Sequence, residues 1–293
     1  MANKKSQKGY STLSKRKIKK VITRYHILVI GTGGTGTCLL PNLTRLLVTN
    51  EQNRKMIRSL MIVDGDRVEE KNLARQNFLF DDIGASKSMV FAENLNEGLI
   101  SEISDNTSAL FWEAKDCYIT NMKQLESLFH IDRFCMVDYD GVMTLHIPFI
   151  IGCVDNNHCR MVCEQFFEKT PNCFYYDAGN EFISGEVVFA HKLNEQVLSP
   201  TKSFYFPEMK TEKTKAVTEM SCEELTVSHP QTITANSGAA WFLLSGISAL
   251  FANSECDLFE RIQKNLGYVS FDADCHVSEF IPYRGVSGCG MIV

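Results

Sequence analysis

Tyr25-His26-Ile27-Leu28-Val29-Ile30-Gly31-Thr32-Gly33-Gly34-Thr35-Gly36-Thr37-Cys38-Leu39-Leu40-Pro41-Asn42-Leu43 reads as a strand, a glycine turn and a helix in direct succession. The glycines Gly31, Gly33, Gly34 and Gly36 let the backbone turn tightly and approach a ligand closely. The amides that open the following helix point at an anion, and a phosphate is the natural occupant. A second apolar run, Leu60-Met61-Ile62-Val63, ends at Asp64. That puts a carboxylate at the tip of the neighbouring strand, where a nucleotide ribose presents its hydroxyls. A glycine loop alone does not separate NAD, FAD and ATP folds, and such turns also occur for packing.

The chain continues Asp64-Gly65-Asp66-Arg67-Val68-Glu69-Glu70-Lys71-Asn72-Leu73-Ala74-Arg75-Gln76-Asn77-Phe78, then Asp82-Ile83-Gly84-Ala85-Ser86-Lys87. Asn72, Arg75, Gln76 and Lys87 are donors suited to gripping a triphosphate, which carries more charge than a dinucleotide pyrophosphate. Asp66 reads as a cap for the turn. This block, with its GTGGTG, DGD, NLARQ and GASK stretches, resembles the ThiF/MoeB/ubiquitin-activating family of ATP-dependent adenylyltransferases. The resemblance continues through Gly152-Cys153-Val154-Asp155-Asn156 with Arg160, Asp177-Ala178-Gly179-Asn180 with Ser184-Gly185, and Pro230-Gln231 with Asn236 and Ala239-Ala240. It covers the chain from about Arg24 to Phe251.

The resemblance implies a doubly wound, mostly parallel Rossmann-like α/β sheet with a crossover loop and a C-terminal elaboration. It implies that ATP is bound by the glycine loop, Asp64, Asn72, Arg75, Gln76, Lys87, Asp155 and Asn156, with Mg²⁺ on Asp155. Arg75 and Lys87 would neutralise the β- and γ-phosphates while a substrate carboxylate attacks the α-phosphorus. By resemblance, that carboxylate belongs to the C-terminal glycine of a small ubiquitin-like (β-grasp) protein, and the enzyme is a homodimer. A reactive cysteine follows the crossover loop in relatives, and Cys222 in Met220-Ser221-Cys222-Glu223-Glu224 is the candidate here. Against it, Glu223 and Glu224 would raise a thiol pKa, and most cysteines are buried small hydrophobes. Ser-Cys ahead of Pro-Gln and an apolar helix resembles the ThiF-like proteins of PRTRC plasmid systems. His229 beside Pro230 reads as structural. Dimeric relatives send an N-terminal Arg into the partner's ATP site, but Arg16 and Arg24 lie outside the family's motif for that role, which is not carried over.

A chain of 293 residues accommodates one elaborated α/β domain. The expected organisation is a basic arm over 1–23 and an adenylation domain over 24–293, with the crossover loop at 193–221 and the C-terminal helix and strands at 222–293. The apolar stretch Ala239 to Phe251 is too short to span a bilayer, and the basic N-terminus leads into no apolar signal region. A cytoplasmic protein with no membrane partner is therefore expected. Its 11 cysteines are scattered and include no Cys-x-x-Cys pair. Reduced thiols are expected, and the paired cysteines of zinc-bearing relatives are missing, so no zinc is expected. Cys159 and Cys163 are spaced for one helix face, as core thiols are.

Charge is distributed unevenly. Residues 1–24 hold nine Lys or Arg and no acidic residue, whereas the remainder has 21 basic against 35 acidic residues. A solvated tail is the favoured reading of the arm over contact with nucleic acid or an acidic partner.

Along the chain, Glu51 to Arg58 finishes a helix or forms a loop, Asn72 to Phe80 is irregular, and a helix starts near Lys87. Strands are expected over Ala109–Trp112, His146–Val154, Cys173–Tyr176 and Glu186–His191, with Asp177–Asn180 as a turn. Helices are expected over Asn121–Phe129 and His158–Phe167. A hairpin is expected between Arg133 and Leu145. Asn194 to Met220 lacks periodicity and reads as loop. Gln231 to Ala252 reads as a long helix with Trp241, Leu244, Ile247 and Phe251 inward, followed by two short strands from Gly267 and a tail. Four readings of function stay open: activation of a β-grasp protein, adenylation of a peptide C-terminus or tRNA base, a non-catalytic nucleotide-binding partner subunit, and a NAD-dependent oxidoreductase.

Overall fold

A computed structural model describes residues 20–101, 110–129, 131, 135–137, 141–210, 231–252 and 257–285. In chain order its elements are β1 (Lys20–Ile30), α1 (Gly34–Val48), α2 (Glu51–Met56), β2 (Ile57–Val63), α3 (Lys87–Leu95), β3 (Trp112–Lys115), α4 (Met122–Leu128), β4 (Cys135–Val137), β5 (Val142–Gly152), α5 (Asn157–Lys169), β6 (Cys173–Asn180), β7 (Ser184–Leu193), β8 (Gln196–Ser199), α6 (Lys202–Tyr205), α7 (Ile233–Phe251), α8 (Leu258–Ile262), β9 (Gly267–Asp272) and β10 (Val277–Pro282). The strands form one sheet in the order β10-β9-β7-β6-β5-β1-β2-β3, with β4 on β5 and β8 on β7. From β3 to β6 the neighbours run parallel, and from β6 to β10 they run antiparallel.

The chain leaves β1 toward β2 on one side and reaches β5 on the other, so the strand order reverses at the β1–β5 pair. A crevice opens at the carboxyl ends of two strands so arranged. Both strands are buried along their carboxyl halves, as their unbroken apolar runs require. On one face Tyr25, Ile27 and Val29 of β1 pack with Leu39, Leu43 and Leu47 of α1 and Leu243 and Ile247 of α7. On the other, Leu28, Ile30, Met61 and Ile150 pack with Val162 and Phe166 of α5.

The structure shifts several expected boundaries. The strand at Ala109–Trp112 begins only at Trp112, whose buried indole donates to Thr44 Oγ1 at 2.9 Å, while Phe111 is exposed and Ala109 lies outside the described residues. Asp177–Asn180 is strand rather than turn, paired with β7 from Asp177↔Val188 to Asn180↔Gly185. Part of the expected loop after Asn194 is ordered, since β8 pairs with β7 and α6 follows; its residues 211–221 lie outside the described ones. Lys20–Thr23, counted with the arm, already belong to β1.

Helix α7 buries Ile247 and Phe251 as expected, but not Trp241. Trp241 is 64% exposed, and the buried side is Ala235, Asn236, Ala239, Ala240, Leu243, Gly246, Ile247, Leu250 and Phe251. Small residues win this face because they let the helix approach closely: a Cβ on Gly246 would stand 2.5 Å from the Phe189 ring. With 19 residues and a hydropathy of 1.2 it is also long and apolar enough to cross a bilayer, contrary to the reading from Ala239–Phe251. Here it packs against α1, β6 and β7.

Candidate active site

The glycine loop joins β1 to α1. Gly31 has φ +96°, and a Cβ there would lie 2.6 Å from the Cys153 carbonyl oxygen. A Cβ on Gly36 would lie 2.1 Å from the Gly31 carbonyl oxygen, and one on Gly34 would lie 2.2 Å from Asn236 Nδ2. These three are glycines for packing. Gly33 is different, because a Cβ there would meet nothing within 4 Å and its φ of −79° suits any residue. Its bare Cα faces open space in front of the amides that open α1.

Asp64 closes the loop from the tip of β2. Its Oδ2 accepts from the Thr32 amide at 2.6 Å and the Thr32 hydroxyl at 2.8 Å, and its Oδ1 accepts from the Asp66 amide at 2.8 Å. Burial and then the neighbouring Asp66 carboxylate push the Asp64 carboxyl above its ordinary range. Asp66 is not the cap; it receives the cap from Asp64. Its Oδ2 lies 3.0 Å from the buried Lys87 Nζ, and its Oδ1 accepts from the Tyr118 hydroxyl at 2.5 Å. A buried ammonium needs an anion beside it, and Asp66 is that anion. Lys87 opens α3, where the Ser88 hydroxyl lies 3.1 Å and 3.0 Å from the carbonyls of Asp64 and Lys115. The lysine is thereby tied to the ends of β2 and β3.

Arg75 stands on the irregular segment, and its guanidinium makes no hydrogen bond or ion pair with the described residues. The segment itself is anchored. Pro41 lies inside α1 and lacks the N–H that would bond the Thr37 carbonyl. That freed carbonyl accepts from Asn77 Nδ2 at 2.9 Å, and the Thr37 hydroxyl oxygen accepts from the Asn77 amide at 3.3 Å. The helix-breaking residue thus makes the acceptor that pins the Arg75 segment. Asn72 is 3% exposed, and its Oδ1 accepts from the Glu69 amide at 2.9 Å while its own carbonyl accepts from Arg75 and Gln76. Gln76 Oε1 is buried without a partner, and no hydrogen bond joins Gln76 to the Arg75 side chain.

Asp155 follows β5 at the same rim. The Cys153 amide donates to the Ile30 carbonyl at 2.8 Å, which holds this segment beside the glycine loop. Asp155 is exposed and in no ion pair among the described residues. A single open carboxylate suits Mg²⁺, which is commonly held by one carboxylate together with phosphate oxygens and water. No cluster of three or more metal-ligating side chains occurs among the described residues. Asn156 caps α5 by accepting from the Cys159 amide at 3.1 Å. Arg160 is turned inward: its Nε lies 3.2 Å from Asp177 Oδ2 and a terminal nitrogen donates to the Ala178 carbonyl at 3.2 Å. It joins α5 to β6 rather than standing free for a ligand.

Thr35, Asn180 and Asn236 form a polar cluster behind the loop that sequence reading did not assemble. Asn236 Oδ1 accepts from Asn180 Nδ2 at 2.7 Å and from Thr35 Oγ1 at 3.3 Å. Thr32, Asn77 and Tyr118 were missed too, since each acts through a contact distant in sequence. Cys222, His229 and Pro230 lie outside the described residues.

Together, the carboxyl ends of β1, β2 and β5 carry the glycine loop, Asp64 and Asp155, and the anchored segments that bear Arg75 and Lys87 follow β2. The solved structures similar in fold include E. coli MccB with MccA-N7isoASN, with a TM-score of 0.56 and 15% identity over 90% of this chain and 67% of that one. E. coli MccB with ATP has a TM-score of 0.54 at 12% identity, covering 89% and 64%. PaaA has a TM-score of 0.54 at 16% identity, covering 88% and 64%. The chain thus spans 64–67% of the length of these neighbours. No curated protein matches it. The model of the ThiF family matches residues 7–221, and the chain belongs to that family.

Proposed function

We propose that the chain is an ATP-dependent adenylyltransferase acting on a C-terminal carboxylate, with a small ubiquitin-like (β-grasp) protein as substrate. The observation that carries this reading is that the segments bearing Arg75 and Lys87 are both anchored, the first to the Thr37 carbonyl of α1 and the second to the carbonyls of Asp64 and Lys115. A triphosphate is the ligand that needs both. In the reaction the carboxylate oxygen bonds to the α-phosphorus as the α–β bridging bond breaks, and pyrophosphate leaves with that electron pair. No general base is needed, since a carboxylate is already ionised at pH 7. Catalysis is therefore positioning and charge neutralisation.

The loop amides at Gly33 and Gly34 would hold phosphate oxygens, and Asp64 would accept from the ribose hydroxyls. Arg75, unpaired among the described residues, would swing onto the β- and γ-phosphates. Lys87 would exchange Asp66 for a phosphate oxygen, so Asp66 serves as a stand-in anion until nucleotide arrives. Asp155 would hold Mg²⁺, whose bound charge offsets that of the phosphates. Cys222 would receive the acyl group as a thioester, and the enzyme would act as a cytoplasmic homodimer. A peptide C-terminus is the second reading, favoured by the fold shared with MccB, whose solved complexes contain MccA.

The test is intact-mass analysis of candidate β-grasp proteins and of peptides after incubation with enzyme and ATP. An AMP adduct on the β-grasp protein, lost on removal of its last glycine, supports the first reading. An adduct on peptides alone selects the second, and AMP on neither refutes both.

A further inference from the structure

At the opposite end of the sheet, the first halves of β1, β2 and β5 bring together two arginines, two histidines and a serine. Arg24 and His26 come from β1, Arg58 and Ser59 from β2, and His146 from β5; the register sets Arg24 against His146 and His26 against Ser59. His26 Nε2 lies 3.0 Å from His146 Nδ1, and His26 Nδ1 lies 3.2 Å from the Ser59 hydroxyl. When that hydroxyl donates to His26, His26 donates to His146, and the proton of His146 rests on Nε2. That atom is buried and has no partner. The Arg24 guanidinium reaches only the Thr23 carbonyl, at 3.5 Å, and neither it nor Arg58 is paired with a carboxylate among the described residues. The two arginines are near enough that Arg58, after burial, holds Arg24 below its ordinary pKa; both, after burial, do the same to His146.

Repulsion between two arginines costs stability, and an anion bound between them relieves it. The sequence immediately upstream adds Lys15, Arg16, Lys17, Lys19 and Lys20. In a chain whose remaining residues carry 35 acidic against 21 basic groups, the basic residues are densest in the sequence that leads into and opens β1. A small anion would be satisfied by two arginines. A run of phosphodiesters is the ligand that uses both the folded cluster and the basic sequence feeding into it.

We propose that Arg24, Arg58 and His146 at the amino end of the sheet form a phosphate-binding site for a nucleic-acid backbone. Seven residues of strand, roughly 23 Å, separate Arg24 from the glycine loop, so this site anchors the protein without touching the nucleotide.

Fluorescence anisotropy with a labelled oligonucleotide of about 20 nucleotides, single- and double-stranded, measures it across a salt series on the full chain. Arg24→Gln/Arg58→Gln is compared with wild type, with Arg58→Glu alone as a second variant at an exposed position and Tm as a check on folding. The expected result is at least about tenfold weaker binding for both variants, and a log–log salt slope shallower by roughly two for the double variant. ATP binding stays unchanged. The proposal is overturned if wild type does not bind at about 50 mM salt, or if either variant binds with the wild-type Kd and slope. Displacement of the oligonucleotide by pyrophosphate at matched ionic strength, at a concentration where sulfate has no effect, would show a small-anion site and overturn it too.

Discussion

Gly33→Ala separates ligand contact from packing within one loop. The added Cβ meets nothing within 4 Å, and φ −79° is ordinary for alanine, so the variant should keep wild-type stability to within about 0.5 kcal/mol. Its methyl group would stand where a phosphate must approach the amides opening α1. Losing one charge-assisted hydrogen bond there costs about 1.5–3 kcal/mol, so the ATP Kd should rise roughly 10- to 100-fold. Gly36→Ala is the counterpart. Its Cβ would fall 2.1 Å from the Gly31 carbonyl oxygen, a backbone atom with no room to retreat. Overpacking of that kind costs about 3 kcal/mol, or on the order of a 10 °C fall in Tm for a chain of this size. Differential scanning fluorimetry with and without ATP reads both quantities. A Gly33→Ala protein that binds ATP like wild type, or that melts as early as Gly36→Ala, would refute the reasoning.

Three further outcomes are expected. Asn77→Ala should leave Tm nearly unchanged but weaken ATP several-fold, because it releases the Arg75 segment from the carbonyl that Pro41 frees; isothermal titration with Arg75→Ala alongside checks that the two losses are not additive. Arg160→Ala would leave the Asp177 carboxylate buried and unpaired and should cost about 3–5 kcal/mol in chemical denaturation, with Arg160→Lys rescuing only part. His191 is fully buried, which lowers its pKa from 6.5 to about 3. The unfolded chain therefore takes up this proton first: the contribution is complete above about pH 6.5 and is lost as pH falls toward 3. Near pH 5 the loss is about 2 kcal/mol, and a His191→Gln protein should show a correspondingly flatter acid limb in urea unfolding.

Residues whose environment is local were legible in the sequence. Ile27–Ile30, the glycine turn and the start of α1 sit within one short window, and Asp64 ends its strand as an apolar run broken by a carboxylate should. The resemblance singled out Lys87 and Asp155 as site residues. What escaped depends on pairing across the fold. Asp177–Asn180 looks like a turn because Gly179 interrupts it, but β7 returns antiparallel and supplies the ladder. Trp241 looks like a core residue, yet the buried face of α7 runs through Ala239, Ala240, Leu243, Gly246, Ile247 and Leu250 and leaves the indole 64% exposed. Pro41 reads as a helix fault until Asn77 is seen on the carbonyl it leaves open. Asp66 seemed a turn cap, and only the burial of Lys87 shows why its charge is needed. Arg160, part of the stretch that carries the resemblance, is spent on Asp177.

The central claim is that Arg75 and Lys87 serve a triphosphate during adenylation, and ATP–pyrophosphate exchange tests it most directly. Purified enzyme with its carboxylate substrate should incorporate labelled pyrophosphate into ATP. Arg75→Ala and Lys87→Ala should each abolish the exchange by 100-fold or more, while Cys222→Ala, which would act only after the adenylate forms, should leave it intact. Exchange that survives loss of both cations, or its absence with every carboxylate offered despite tight ATP binding, would contradict the account and leave a nucleotide-binding subunit without catalysis.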